Sequence, residues 1–160
     1  MKIRDINIKK NTLSFLALLL VGLLCSPTLI AKTEIKHFRS QQNIDHNYPF
    51  SDAVQVGDLL FLSGQIGFDS KKGKLVEGGI QTETKQTMNN IRTSLSTYGY
   101  SMNDVVKCTV MLADILDWPA FNEVYQAYFP LHFPARSAFA TNGLALGAKV
   151  EVECIAAKQE

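Results

Sequence analysis

The chain has 160 residues, with 16 Lys and Arg, 15 Asp and Glu, an apolar content of 46% and a formal net charge of +1. This length fits one domain, and the near-neutral balance gives no basic surface of the kind that binds nucleic acid. Three cysteines are too few to build a fold on disulfides, and no His and Cys residues have the spacing of zinc ligands. We therefore expect a globular domain with no metal site and no nucleic-acid partner.

Residues 1–31 have the pattern of a secretory signal peptide. Basic residues begin the segment, an apolar run covers residues 13–25, and Ser26 and Pro27 precede Ala31. The run is shorter than the ~20 apolar residues of a membrane-spanning helix, so we favour cleavage over the alternative of an uncleaved anchor. Cleavage removes four basic residues and one acidic residue, which leaves 12 against 14 and a net charge of −2. The sequence thus predicts a periplasmic or secreted protein with no stable membrane anchor after cleavage.

The remainder of the chain divides into a short polar segment and one domain. Residues 32–48 lack a clear period and predict an N-terminal arm or an edge strand, whereas residues 49–160 form the predicted domain. Near its start, two apolar runs flank Gly57-Asp58, which predicts two strands joined by a tight turn. The domain is therefore expected to begin as a hairpin.

A helix and a strand follow in the middle of the domain. Apolar residues at three- and four-residue steps predict a helix over residues 82–98, and Gly99 suits the left-handed position after its end. The β-branched run 105–112 predicts a strand, and strict alternation puts Val106 on the same face as Cys108. We expect that face to belong to the core.

The last part of the domain predicts a second helix and two more strands, over residues 137–141 and 149–157. Asp117 suits the N-cap of the helix, and Pro119 is tolerated in its first turn. The order β-β-α-β-α-β-β indicates an α+β fold in which two helices cover one face of a mixed sheet. Because the other face also needs a cover, we expect the protein to self-associate.

Arg136 is the first candidate for chemistry. It follows Pro134 and Ala135 at the start of a strand, and a guanidinium can hold a carboxylate through two parallel hydrogen bonds. The competing interpretation is a structural arginine that pairs with an acid or with loop carbonyls. The residue type alone leaves both open.

Two glutamates in the final strand are the second candidate. Glu151 and Glu153 alternate with apolar residues, so both face away from the core. A solvent-facing role is the default for such residues. A neighbour that buried them would raise the pKa of a carboxyl group and suit it to acid–base catalysis. The period does not choose between the two.

Other polar residues give weaker signals. Ser63 and Gly64 could bind a ligand, since serine donates a hydrogen bond and glycine admits a close approach. The chain lacks the pattern of a serine hydrolase. Cys108 and Cys154 fall at core positions of strands, and whether they form a disulfide is open.

Taken together, these segments resemble the Rid family of reactive intermediate deaminases, also called the YjgF family. The resemblance covers the chain from about residue 49 to the C-terminus. The motifs that carry it are Leu62-Ser63-Gly64-Gln65-Ile66, Val105-Val106-Lys107, Asn122 with Tyr125 and Phe129, Phe133-Pro134-Ala135-Arg136-Ser137, and Val150-Glu151-Val152-Glu153.

The resemblance implies a chorismate-mutase-like fold, assembled as a homotrimer with ligand clefts between subunits. It implies a 2-iminobutyrate/2-iminopropanoate deaminase-like hydrolase, which converts 2-imino acids and enamines into 2-keto acids and ammonia without a metal or organic cofactor. On the family pattern Arg136 holds the substrate carboxylate, and Glu151 handles water and the proton. The other cleft residues that the pattern implies are Ser63, Gly64 and Asn122.

Three positions depart from the family pattern. Phe50 stands where many members have a tyrosine, Ala138 where deaminating members often have a cysteine, and residues 143–146 lack a common proline. Phe50 and Ala138 would change the wall of the cleft. Together with export they support an alternative, a non-catalytic periplasmic trimer that binds small carboxylates or a protein partner.

Overall fold

The structure, a computed structural model, describes residues 32–158 of the chain. The predicted signal peptide, residues 1–31, lies outside the described residues. Within residues 32–158 no helix is long and apolar enough to cross a membrane, and no cluster of His, Cys, Asp or Glu side chains could hold a metal ion.

The described residues form a mixed sheet with helices on one side, as the α+β prediction requires. The strands are β1 (Ile35–Phe38), β2 (Ala53–Val56), β3 (Leu59–Leu62), β4 (Gln65–Ile66), β5 (Phe68–Asp69), β6 (Lys74–Leu75), β7 (Val105–Leu112), β8 (Ala135–Ala140) and β9 (Val150–Ala157). The helices are α1 (Gln41–Asp45), α2 (Gly79–Thr97) and α3 (Trp118–Tyr125).

The order of the main sheet is β1-β2-β3-β9-β7-β8, and β4 pairs with β9 beside β3. The β7–β8 pair is parallel, whereas the other pairs in this sheet are antiparallel. Strand β1 lies at one edge of the sheet and β8 at the other. Strand β9 is therefore central, with β7 on one side and β3 and β4 on the other.

Helices α2 and α3 bury their apolar faces on the same side of the sheet, as predicted. Met88, Ile91 and Leu95 of α2 are fully buried, and Phe121 and Tyr125 of α3 join the same core. Each such side chain contributes about 2–3 kcal/mol when it is removed from water. The helical period in the sequence is thus explained by one continuous core between the helices and the sheet.

The helix ends differ from prediction in one respect. Gly99 has φ +79°, which confirms the predicted left-handed residue after α2. Asp117 is the N-cap residue of α3, as predicted, but its side chain makes no capping hydrogen bond. The chain enters α3 through a 3₁₀ turn, and Asp114 caps that turn by accepting from the N–H of Leu116 at 2.9 Å.

The predicted alternation in β7 fails at its first two residues. Val105 is buried and Val106 is 46% exposed, the reverse of the prediction. Val105 is opposite Ala156 and Lys107 is opposite Ile155, so Val106 is the extra residue of a β-bulge. Beyond the bulge the alternation holds.

Cys108 of β7 and Cys154 of β9 form a disulfide between neighbouring strands. The two residues are directly opposite in the register, and both are buried. The bond closes a sequence separation of 46 residues. The pairing that the sequence left open is therefore decided by strand order.

Candidate functional site: two half-sites on one sheet

Strand β8 and helix α3 together hold the guanidinium of Arg136. Its Nη1 donates a hydrogen bond of 2.8 Å to the Oδ1 of Asn122 on α3. The guanidinium carbon lies 4.9 Å from the centre of the Tyr125 ring and 5.8 Å from the ring centres of Trp118 and Phe121. A cation over aromatic faces is attracted to them, so these contacts fix the guanidinium in place. We call this group, with Ala138, the arginine half-site.

Most hydrogen-bond donors of Arg136 have no acceptor among residues 32–158. A guanidinium has five N–H groups, and Asn122 accepts from one of them. The ion pairs among residues 32–158 are Lys36–Glu34, Lys72–Asp69 and Lys74–Glu77, and none includes Arg136. The competing interpretation, an arginine paired with an acid, does not describe this residue.

The aromatic residues around Arg136 are the part of the site that sequence reasoning missed. Phe121 and Tyr125 lie on the apolar face of α3, and helical spacing predicts core for such residues whether or not they also contact a functional group. Tyr125 serves both purposes, since it is 4% exposed and also contacts the guanidinium. Burial raises the pKa of Tyr125 to about 12, so its hydroxyl stays neutral beside the cation. In the sequence, this group was indicated by the motif that combines Asn122 with Tyr125.

Ala138 lies two residues after Arg136 in β8 and faces the same side of the sheet. It is opposite Val110 of β7 and packs against the core. The small side chain leaves the arginine without a second polar group from its own strand at that position.

The carboxylate of Glu151 on β9 rests against the backbone of Gly64. A Cβ atom at residue 64 would lie 2.9 Å from Glu151 Cδ and would collide with Oε1. Strand β4 extends this contact, because Ile66 is directly opposite Glu151. Gly64 is therefore needed for the close approach of the carboxylate. We call Glu151, Gly64, Ser63 and Phe50 the glutamate half-site.

The surroundings of Glu151 favour its protonated form more than water does. Burial is the main cause that raises the pKa of this carboxyl above its usual value, and the nearby charge of Glu153 raises it further. Glu153 is exposed. A raised pKa suits a carboxyl group to both taking and giving a proton.

Ser63, the residue before Gly64, connects the end of β3 to the segment that follows Phe50 through one hydrogen bond. The hydroxyl of Ser63 donates to the carbonyl of Ser51 at 2.6 Å, which ties residues 50–52 to the end of β3. Phe50 is 50% exposed and stacks on Tyr48. The Ser63 hydroxyl thus has a structural partner within the protomer, and its oxygen remains able to accept a hydrogen bond.

The two half-sites lie on opposite faces of the sheet. Arg136 is opposite Cys108 in the β7–β8 register, and Cys108 is bonded to Cys154 on the face that the helices cover. Glu151 follows the buried Val150, so alternation turns it to the uncovered face. One protomer therefore does not bring Arg136 and Glu151 together.

The uncovered face that carries Glu151 exposes several large apolar side chains. Leu59, Phe61 and Phe139 lie on this face and are 40%, 39% and 46% exposed. The register places Phe61 of β3 opposite Ile155 of β9, the strand that carries Glu151. It places Phe139 of β8 opposite Met111 of β7, the strand next to β9. Exposed apolar patches of this kind are typical of interaction surfaces.

A family model for endoribonuclease L-PSP matches residues 40–158. This chain belongs to that family. It is the family that the sequence analysis identified by resemblance as Rid, and the match covers every element that carries the two half-sites.

Relatives within the Rid family support the same assignment. Over 108 residues the chain is 44% identical to a 2-iminobutanoate/2-iminopropanoate deaminase of Mus musculus, with 68% of this chain and 80% of the relative covered. A putative endoribonuclease L-PSP from Entamoeba histolytica has a TM-score of 0.67 at 44% identity, over 69% of this chain and 88% of that chain. TdcF of E. coli, crystallised with bound serine, has a TM-score of 0.66 at 30% identity, over 69% of this chain and 89% of that chain.

Proposed function

We propose that this protein is a hydrolase that deaminates 2-imino acids and their enamine tautomers to 2-keto acids and ammonia. One observation carries the proposal: a carboxyl group of raised pKa rests on a glycine backbone, in a chain that also presents an arginine without a carboxylate partner. Relatives that are 44% identical and are named 2-iminobutanoate/2-iminopropanoate deaminases support this substrate class.

Arg136 would bind the carboxylate that every 2-imino acid carries. Asn122 and the aromatic rings of α3 already hold the guanidinium, so little conformational freedom is lost when a ligand binds. Serine, the ligand of the related TdcF, has the same carboxylate next to a carbon that bears nitrogen. These features support a site for small amino-acid-like anions.

Glu151 would handle both protons of the hydrolysis. As the oxygen of water bonds to the imine carbon, the carboxylate takes a proton from that water, and the π electrons of the C=N bond move to nitrogen. The carboxylic acid then returns that proton to nitrogen, which gives the carbinolamine. In the second half the carboxylate takes the proton of the new hydroxyl group and passes it to the amino nitrogen, so that the C=O bond forms, the C–N bond breaks and ammonia leaves. An enamine would first take a proton at carbon from the same group. The raised pKa suits a group that alternates between these roles.

We further propose that the complete site forms between protomers of a trimer. The half-sites lie on opposite faces of the sheet, and the face that carries Glu151 exposes large apolar side chains. A ring of three copies could cover that face and bring Arg136 of one protomer to Glu151 of the next. Burial in such an interface would raise the pKa of Glu151 further.

Export to an oxidising compartment is also part of the proposal. Disulfides persist in the periplasm and outside the cell and are rare in the cytoplasm. The buried Cys108–Cys154 bond therefore supports the interpretation of residues 1–31 as a secretory signal.

The family description also names endoribonuclease, which would require contact with RNA phosphates. Such contacts use a surface rich in Lys and Arg. The predicted cleaved chain has a net charge of −2, so we do not propose RNA as the substrate.

The test is the release of 2-keto acid and ammonia from 2-iminopropanoate and 2-iminobutanoate, generated in situ by an amino-acid oxidase. The wild-type protein is compared with Arg136→Ala and Glu151→Gln. The matched controls are Arg92→Ala, an exposed arginine on α2, and Glu153→Gln, the exposed acid on the same face as Glu151. We expect both site variants to lose acceleration over the uncatalysed reaction, and both controls to retain it.

Binding of a keto acid separates the enzyme from the alternative of a non-catalytic carboxylate binder. Glu151→Gln should still bind 2-oxobutyrate, because Arg136 is intact, whereas Arg136→Ala should not. A wild-type protein that binds 2-oxobutyrate through Arg136 but accelerates neither reaction would support the binder and refute the deaminase. Binding that persists in Arg136→Ala would refute the site itself.

A further inference from the structure

Glu83 on α2 is a buried carboxylate that the proposed chemistry does not use. Its side chain is 6% exposed, and none of the ion pairs among residues 32–158 includes it. Its Oε2 instead accepts a hydrogen bond of 2.8 Å from the backbone N–H of Lys149. A polar group that leaves water is unfavourable unless it is hydrogen-bonded, so the bond to Lys149 points to a specific task for the buried Glu83 side chain.

Lys149 is the residue before β9, two positions ahead of Glu151. Its N–H donates to Glu83, and its carbonyl accepts a hydrogen bond of 2.9 Å from the N–H of Ala113. Both backbone groups of this residue are therefore bonded. The start of the strand that carries Glu151 is fixed from two sides, one of which depends on the carboxylate of Glu83.

Helix α2 also holds the segment that lies opposite Glu151. Asn90, two turns after Glu83, donates to the carbonyls of Ile66 and Phe68 at 3.0 Å each. Between these two residues, a Cβ atom on Gly67 would lie 2.9 Å from the Cα of Glu83, so the helix packs directly on this backbone. Polar side chains of α2 thus form hydrogen bonds with both backbone segments that border Glu151.

We propose that Glu83 is a positioning residue for Glu151, and that Asn90 of α2 supports the same carboxylate through the backbone of β4. This inference rests on the proposed function. The Glu83 side chain is buried and bonded to the N–H of Lys149, so it acts through the backbone of Lys149 and does not touch substrate. A base that is displaced by about 1 Å can lose on the order of a hundredfold in rate.

The test compares Glu83→Ala with Glu83→Gln in the imine assay and in backbone amide exchange. The alanine leaves the Lys149 N–H without an acceptor, and the glutamine carbonyl replaces the acceptor without the charge. We expect Glu83→Ala to lower kcat about tenfold to a hundredfold, with KM within about threefold because Arg136 is untouched. Amide exchange at Lys149 should become faster in this variant. Glu83→Gln should have a kcat and an amide exchange rate at Lys149 close to those of the wild type.

Thr87→Val is the matched control. Thr87 lies on the same helix face between Glu83 and Asn90, is fully buried, and its hydroxyl has no hydrogen-bond partner. Removal of an unpartnered hydroxyl should leave kcat and Lys149 exchange unchanged. If Glu83→Ala does not fold, Asn90→Ala provides a second test of the inference. This variant should lower kcat with little change in KM.

The inference is overturned if Glu83→Ala keeps wild-type kcat, or if its Lys149 amide stays protected. It is also overturned if Glu83→Gln loses as much kcat as Glu83→Ala while both variants melt at the same lower temperature, since that describes a structural role only. Failure of the proposed function has a different signature: the wild type would then accelerate neither reaction, or Glu151→Gln would retain turnover, whatever the exchange at Lys149.

Discussion

The two half-sites differ in how much of their environment a single protomer supplies. In the arginine half-site, one hydrogen bond and three aromatic rings, all from α3, surround the guanidinium of Arg136. In the glutamate half-site, Glu151 has the backbone of Gly64 on one side and an uncovered apolar face around it. The proposed binding group is thus held within the protomer, whereas the proposed proton-transfer group lies on a face that residues 32–158 leave uncovered.

On the proposed function, local packing within the protomer would hold Arg136, and assembly of protomers would cover Glu151. A cation tolerates partial exposure and gains from aromatic neighbours, so a single helix can hold it. A carboxyl group needs to be withdrawn from water for its pKa to rise, and a partner surface can provide that burial. The following predictions test the separation of the two half-sites, from the largest expected effect to the smallest.

Loss of the disulfide should have the largest effect, on stability. Cys108 is opposite Arg136 in the register, and Cys154 is in the strand of Glu151, so the bond joins the frameworks of the two half-sites. For a separation of 46 residues, removal should lower the free energy of unfolding by about 4 kcal/mol. Urea unfolding of the Cys108→Ala/Cys154→Ala double variant measures this. A reducing agent should destabilise the wild type and leave the double variant unchanged; equal responses would contradict the bridge.

Mixing of two inactive variants tests the separation directly. Arg136→Ala and Glu151→Gln should each be inactive, but subunits unfolded and refolded together should form sites with an intact arginine and an intact glutamate. Random assembly of a ring makes about a quarter of the sites complete. The measurement is keto-acid release before and after mixing, with each variant refolded alone as the control. No recovery would mean that each protomer builds its own site.

Loss of the Asn122 side chain should affect binding moderately. Asn122→Ala removes the hydrogen bond that orients Arg136, and the expected effect is a rise in KM of about tenfold with a smaller change in kcat. Asn122→Asp should raise KM further, because a carboxylate at this position would pair with the guanidinium and compete with substrate. Asn103→Ala, an exposed asparagine in a 3₁₀ turn, is the control. An unchanged KM in Asn122→Asp would refute the role of Arg136 in substrate binding.

The smallest predicted effect is a shift in pH dependence. The charge of Glu153 raises the pKa of Glu151, although less than burial does. Glu153→Gln should therefore lower the pKa of Glu151 and move the acid limb of the kcat profile to lower pH. An acid limb that does not move would show that Glu151 is not the titrating group.

The same carboxyl group gives a stability prediction. Because its pKa is raised in the folded state, the folded protein binds more protons than the unfolded chain, and stability falls as pH rises from the usual Glu pKa through the raised one. Glu151→Gln removes this loss. The variant should therefore gain stability relative to wild type between about pH 4 and pH 7, as measured by thermal unfolding at both values.

Much of the fold followed from local patterns. The β-branched run over residues 105–112 became β7 with the predicted ends, and the period of Met88, Ile91 and Leu95 fixed the buried face of α2. These predictions succeed because the alternation of a strand and the period of a helix depend on residues that are near in sequence. The bulge at Val106 could not be predicted, since it arises from pairing with β9.

The residues for chemistry were recognisable from type and motif, but their arrangement was not. Arg136 and Glu151 were candidates by residue type, but only the resemblance to the Rid family separated Glu151 from Glu153 and a ligand-binding Arg136 from a structural one. Their placement on opposite faces depends on strand order and register, which bring together residues far apart in the chain. The Cys108–Cys154 bond, the contact of Gly64 with Glu151 and the hydrogen bond from Lys149 to Glu83 have the same origin. Local sequence thus determined the elements and the chemical groups, and only the tertiary structure decided which of those groups meet.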